Sequence, residues 1–200
     1  MKVIGLTGGV GSGKSTVANM MKNEFQAQII IADQVGHLMM QKGYPSYDLI
    51  LHHFGEEILD EKKEIDRKKL SNLVFIDNQN AKEQLKILNS FIHPYVYEYI
   101  NEELKKIKKS KEESIVVIET AILFEAGFDK ICDEVWYINT TMQVRRNRLK
   151  QSRNYTDEKI DSIMANQLTE QDFMKYCTKI IYNDGELEKI RKQIQLLLVN

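Results

Sequence analysis

Four glycines crowd between residues 8 and 13, with a lysine and a serine directly behind them, and no other feature restricts the chain so tightly. Within IGLTGGVGSGKSTVANMM, which begins at Ile4, residues Gly8 to Ser15 fit the spacing G-x-x-x-x-G-K-[ST]. Glycines open backbone angles closed to other residues, so successive N–H groups can turn inward as a nest for phosphate oxygens. The helix that follows adds the positive end of its dipole. Lys14 is suited to neutralise β- and γ-phosphates, and Ser15 offers a hydroxyl where a nucleotide-bound Mg²⁺ needs an oxygen ligand. Thr16 can satisfy further phosphate oxygens. The cofactor-binding set is therefore Gly8, Gly11, Ser12, Gly13, Lys14, Ser15 and Thr16, for ATP with Mg²⁺.

The surroundings of the motif agree with that chemistry. Val3 to Leu6 is a short β-branched apolar run that reads as a buried strand. Behind Lys14, residues Val17, Ala18, Met21 and Phe25 recur at helical spacing. Further continuous apolar runs stand at QIIIAD, SIVVIET, EVWYINT and KIIYND, the first of them ending on Asp33. Continuous rather than alternating runs suit parallel strands covered on both faces. The chain is therefore expected to be α/β: a P-loop NTPase-like open parallel five-stranded sheet flanked by helices. Residues 35–110 read as a helical substrate-binding insertion, with breaks at Gly43-Tyr44-Pro45 and His93-Pro94. Residues 142–176 read as a helical lid, and core segments 1–34 and 114–200 complete a single kinase-sized domain.

Composition narrows the partners. With 28 basic and 29 acidic residues in 200, the formal charge is −1, so a duplex nucleic-acid binder working by broad phosphate neutralisation is disfavoured. The segment MKVIGLT lacks the features of a secretory leader, and no run of 18 apolar residues occurs, which leads to the expectation of a cytoplasmic protein without a membrane partner. Cys132 and Cys177 have no metal-ligand or disulfide-framework spacing. An Asn-Lys-x-Asp guanine reader is absent, which weakens a GTPase switch, and the length suits small-molecule phosphoryl transfer better than a motor.

The phosphate loop, ADQVG, FGEEILD with IDRKKLSNLVF, His93-Pro94, ETAILFEAGFD, RLKQ, NQLTEQDFMKY and IIYNDGELEKI follow one another in an order that resembles dephospho-CoA kinases over nearly the whole chain. The resemblance implies ATP-dependent phosphorylation of the ribose 3′-hydroxyl of dephospho-CoA, the closing step of coenzyme A synthesis. A nucleoside or nucleoside monophosphate kinase, or a nucleotide-binding regulator that transfers nothing, is the alternative.

The resemblance gives Asp33 the part of orienting the acceptor hydroxyl and taking its proton; a helix-capping aspartate is the plainer alternative. Where the family usually reads Asp-Ala-Asp, this chain has Ile31-Ala32-Asp33. Glu119 falls where the family commonly has aspartate, at a strand end suited to hold Mg²⁺ through water. Arg145, Arg146, Arg148 and Arg153 read either as a phosphate-facing lid or as a solvated helix face, with Arg148 matching the family's lid arginine best. The second lid arginine of the family would fall near Ser152, with Arg153 displaced by one. Catalytic candidates are thus Asp33, Lys14 and Arg148. His93 and Glu125 join Asp33 as substrate-binding candidates, each with a structural reading beside it.

Overall fold

A computed structural model of the chain describes residues 1–75, 80–110 and 114–199. Residues 76–79 of the expected insertion lie outside the described residues. The chain divides into two compact units, Met1–Ile31 with Ile107–Asn200, and Ala32–Lys106.

In the first unit, strands β1 (Lys2–Thr7), β2 (Gln28–Ile31), β3 (Ile115–Glu119), β4 (Glu134–Asn139) and β5 (Lys179–Tyr182) form one parallel sheet in the order β2-β3-β1-β4-β5. The fold expected from the five apolar runs is the one observed. The runs are apolar throughout because both faces are covered: Ile4, Leu6, Val117, Trp136, Ile138 and Ile181 are buried, each with at most a trace of exposure. Helices α1 (Lys14–Phe25) and α9 (Leu187–Val199) close this core with Val17, Met21, Ile190 and Ile194. Each large apolar side chain so buried contributes roughly 1.5–3 kcal/mol. Between β4 and β5 run α6 (Met142–Arg153), α7 (Asp157–Ala165) and α8 (Glu170–Tyr176). Phe173 of α8 stacks on Tyr137 of β4 at 4.7 Å between ring centroids, which fastens that helix to the sheet.

The second unit contains α2 (Ala32–Met39), α3 (Pro45–Phe54), α4 (Arg67–Phe75) and most of α5 (Ala81–Ser110). The Gly43-Tyr44-Pro45 break is observed, with Pro45 opening α3 where its missing N–H costs nothing. The expected break at His93-Pro94 is not: α5 runs through it, and Pro94 lies inside the helix. Leu88, Ile92, Val96, Ile100 and Leu104 are buried at four-residue spacing on one face, whereas Ser90 and Pro94 are exposed on the other. The proline denies the Ser90 carbonyl its helical donor on the exposed face, and packing on the buried face outweighs a local penalty of about 3 kcal/mol. A second correction concerns Asp33. The QIIIAD strand ends at Ile31, and Asp33 is the second residue of α2 rather than the last of β2.

Candidate active site

Where the carbonyls of Gly8 to Gly13 point decides what the loop can bind. Each accepts a hydrogen bond from the protein. Lys14 Nζ donates to Gly8 O at 2.8 Å, Ser12 N to Gly9 O at 3.1 Å, and Arg145 Nε to Val10 O at 2.9 Å. Arg148 Nη1 donates to Gly11 O at 3.5 Å, and the Gly13 carbonyl accepts from Thr16 N and Val17 N of α1, each at 3.1 Å. The Ser12 carbonyl accepts three donors: Asn183 Nδ2 at 2.7 Å, Thr140 Oγ1 at 2.9 Å and Arg148 Nη1 at 3.3 Å. With the oxygens committed, the N–H groups of Gly11, Gly13 and Ser15 have no acceptor among the described residues. Such N–H groups at the start of a twelve-residue helix are an arrangement suited to a phosphate chain.

Gly13 shows why glycine is required. Its φ is 88°, in the left-handed region, and a Cβ there would lie 2.3 Å from Asn183 Nδ2. Thr16, exposed, follows in the first turn of α1.

Ser15 Oγ donates to Glu119 Oε1 at 2.7 Å. Glu119 is buried at the end of β3, and its Oε2 has no hydrogen-bond partner among the described residues; neither do the buried hydroxyls of Thr7 and Ser12. An unsatisfied buried carboxylate oxygen beside a serine hydroxyl is the hard-oxygen donor set that suits Mg²⁺. Glu119 meets the Ser15 hydroxyl with one oxygen and leaves the other unpartnered among the described residues, so the donor set fits the ion.

The four arginines divide two and two. Arg148 lies on the loop carbonyls and on Asn183, whose O and Oδ1 accept from Nη2 at 3.1 and 3.2 Å. Arg145 lies on Val10 and on Gln167. Arg146 turns outward to Asp157 and Asp161, and the Arg153 guanidinium lies 5.9 Å from the Tyr155 ring centroid. Ser152, where the family resemblance puts a second arginine, donates to the Arg148 carbonyl. Glu125 is exposed, on the turns after β3.

In the second unit, Asp33 is exposed in the first turn of α2. His93 is half-buried within α5, where desolvation holds its pKa below the usual imidazole value. Sequence reasoning passed over Asn183, Thr140 and Gln167 as site residues. Their bonds to the loop span 128 to 171 residues, so no local spacing marks them.

The parallel 2-3-1-4-5 sheet, the N–H-lined loop after β1 and the two guanidiniums upon it define a P-loop protein of the kinase class. The comparisons with known proteins are more specific. A family model described as dephospho-CoA kinase matches residues 2–189, and the chain belongs to that family. The dephospho-CoA kinase of Lactobacillus johnsonii is 32% identical over 195 residues, covering 98% of this chain and 96% of that protein. Among solved structures, the dephospho-CoA kinase of Campylobacter jejuni superposes with a TM-score of 0.71 at 26% identity, covering all of this chain and 96% of the other. Thermus thermophilus TT1252 gives 0.80 at 26% identity, over 99% and 96% of the two chains.

Proposed function

We propose that the chain transfers the γ-phosphoryl group of ATP to the ribose 3′-hydroxyl of dephospho-CoA, giving coenzyme A and ADP in the cytoplasm as the last step of coenzyme A synthesis. Family membership supports the substrate. The observation that carries the chemistry is the outward commitment of every carbonyl from Gly8 to Gly13, which presents amide hydrogens to a triphosphate.

In this reading Lys14 and Arg148 balance the charge that develops on the transferred group. Ser15 and Glu119 would hold Mg²⁺, the hydroxyl as a direct oxygen donor and the carboxylate through water, and the ion would supply neutralisation of the phosphate charge. Asp33 orients the acceptor hydroxyl and accepts its proton as the new O–P bond forms. Two facts support that assignment: Ile31 is in register with Glu119, the carboxylate that accepts from Ser15, and Asp33 follows two residues later. His93 and Glu125 contact the acceptor.

The test is product formation by purified protein supplied with Mg-ATP and dephospho-CoA, against a panel of nucleosides and nucleoside monophosphates. The expected product is 3′-phosphorylated coenzyme A from dephospho-CoA alone. Normal ATP binding without that product would leave a nucleotide-binding regulator in its place, and turnover of a nucleoside instead would reassign the acceptor.

A further inference from the structure

Val10, in the middle of the phosphate loop, has both main-chain groups held by side chains that follow β4. Its N–H donates to Gln167 Oε1 at 3.0 Å, and its carbonyl accepts from Arg145 Nε at 2.9 Å. Arg145 Nη2 donates to the same Gln167 oxygen at 3.2 Å, closing a ring of three bonds among three residues. Both groups that meet Oε1 are donors, so the chemistry fixes which end of the Gln167 amide faces them. The backbone beneath is held as well: Gln167 N donates to Met164 O at 3.2 Å, and the Thr169–Asp172 capping box of α8 begins two residues later.

The Arg145 guanidinium lies directly over Gly9, where a Cβ would come within 2.2 Å of Nη2. It is half-buried and has no carboxylate within ion-pair distance among the described residues. Desolvation pulls its pKa down, opposed by the negative charge of Glu170. A guanidinium carries five N–H donors, and the ring uses two of them. A half-buried cation with donors to spare, resting on a loop built for phosphate, is completed by an anion arriving at that loop.

We propose that Gln167 is a positioning residue, holding the Arg145 guanidinium against the loop so that its remaining donors meet the phosphate chain of the nucleotide. The proposal rests on the phosphotransferase reading above. It adds a second guanidinium to Arg148 and names the side chain that aims it.

Gln167→Met removes the acceptor at similar length, Gln167→Glu keeps it, and Arg145→Met removes the cation. The measurements are kcat and KM for ATP with dephospho-CoA, and equilibrium binding of ATP, with circular dichroism to verify folding. Gln167→Met and Arg145→Met are each expected to lower kcat roughly 10- to 100-fold and to weaken ATP binding about fivefold. Gln167→Glu should return both values to within about threefold of the parent, which a purely structural defect would not allow. In the Arg145→Met background, Gln167→Met should add less than about twofold to either loss, because the glutamine acts through the arginine. Should Gln167→Met not fold, Gln167→Asn, too short to reach both donors, takes its place with the same expectations. Unchanged kcat and ATP binding in the glutamine variant, or losses that add in the double variant, overturn the proposal. A parent that turns over no dephospho-CoA while the ATP-binding cycle is non-additive sinks the kinase reading and leaves the positioning role standing.

Discussion

The side-chain amide of Asn183 donates a 2.7 Å hydrogen bond to the carbonyl of Ser12, 171 residues earlier in the chain. The bond ties the residue just past β5 to the centre of the phosphate loop, and the same side chain receives Arg148 on its oxygen. Asn183 is buried, so truncating it removes one of the three donors on the Ser12 carbonyl and one of the acceptors of the Arg148 guanidinium. Asn183→Ala is expected to destabilise the fold by roughly 1–3 kcal/mol and to weaken ATP binding as the loop loses its shape. Denaturant unfolding and ATP titration on the same samples check both effects.

Lys14 and Asp33 serve the reaction rather than the fold in the reading proposed above. Lys14 is half-buried with its ammonium group on the Gly8 carbonyl, and Asp33 is exposed. Lys14→Ala and Asp33→Asn should therefore each abolish turnover of dephospho-CoA while circular dichroism and the unfolding midpoint stay near those of the parent. An Asp33→Asn protein with a near-native rate would remove the base assignment.

The sheet and the phosphate loop were legible because their signals are local. Five apolar runs name five strands, and the glycine spacing names the nest. QIIIAD gives no visible stop before Asp33: Ala32 is apolar and buried, and α2 begins directly after Ile31 with no turn between them. At His93-Pro94 local sterics argue for a break, whereas the buried stripe from Leu88 to Leu104 decides otherwise. Asn183, Thr140 and Gln167 were not legible as site residues. Each does its work through one bond to a loop more than a hundred residues away, and a single polar side chain carries no periodicity.

Glu134 gives the fold a pH dependence. Its carboxylate meets Lys2 Nζ at 2.8 Å, Lys179 Nζ at 3.1 Å and Trp136 Nε1 at 2.7 Å. Desolvation alone would raise its pKa, but the hydrogen bonds from Lys2, Trp136 and Lys179 together outweigh it and hold the value below the ordinary 4.5. A carboxylate with a lowered folded-state pKa stabilises the fold above its unfolded pKa, and that stability is lost as pH falls through the folded value. Glu134→Gln should cost roughly 1–3 kcal/mol at pH 7, and the gap between variant and parent should shrink steadily below about pH 4.5. Unfolding midpoints measured from pH 7 to pH 3 test this, and a gap independent of pH would count against it.

Pro94 is exposed inside α5, where its ring denies the Ser90 carbonyl a helical donor. The ring is exposed, so Pro94→Ala removes no buried volume and supplies the missing N–H. The variant should be stabilised by about 1 kcal/mol or more, less than the full proline penalty because the surrounding helix has already adapted to the ring. A raised unfolding midpoint with turnover retained is the expected result.

Gly13 combines two separable constraints. Its φ of 88° costs a residue with a side chain roughly 1–2 kcal/mol wherever it occurs. The second constraint is specific to this loop: the new Cβ would stand 2.3 Å from Asn183 Nδ2 and 3.4 Å from Arg148 Nη1, so one of the groups holding the Ser12 carbonyl must move. Gly13→Ala should therefore weaken ATP binding beyond the level of Asn183→Ala, because it displaces the same amide and strains the N-cap of α1 as well. Removing the obstructing side chain separates the two contributions. In Gly13→Ala with Asn183→Ala the clash is gone and the backbone strain remains, so the double variant should bind ATP more tightly than the sum of the single losses implies. Strictly additive losses in ATP titrations would mean that the amide and the Cβ never compete for the same space, contrary to the packing around the loop.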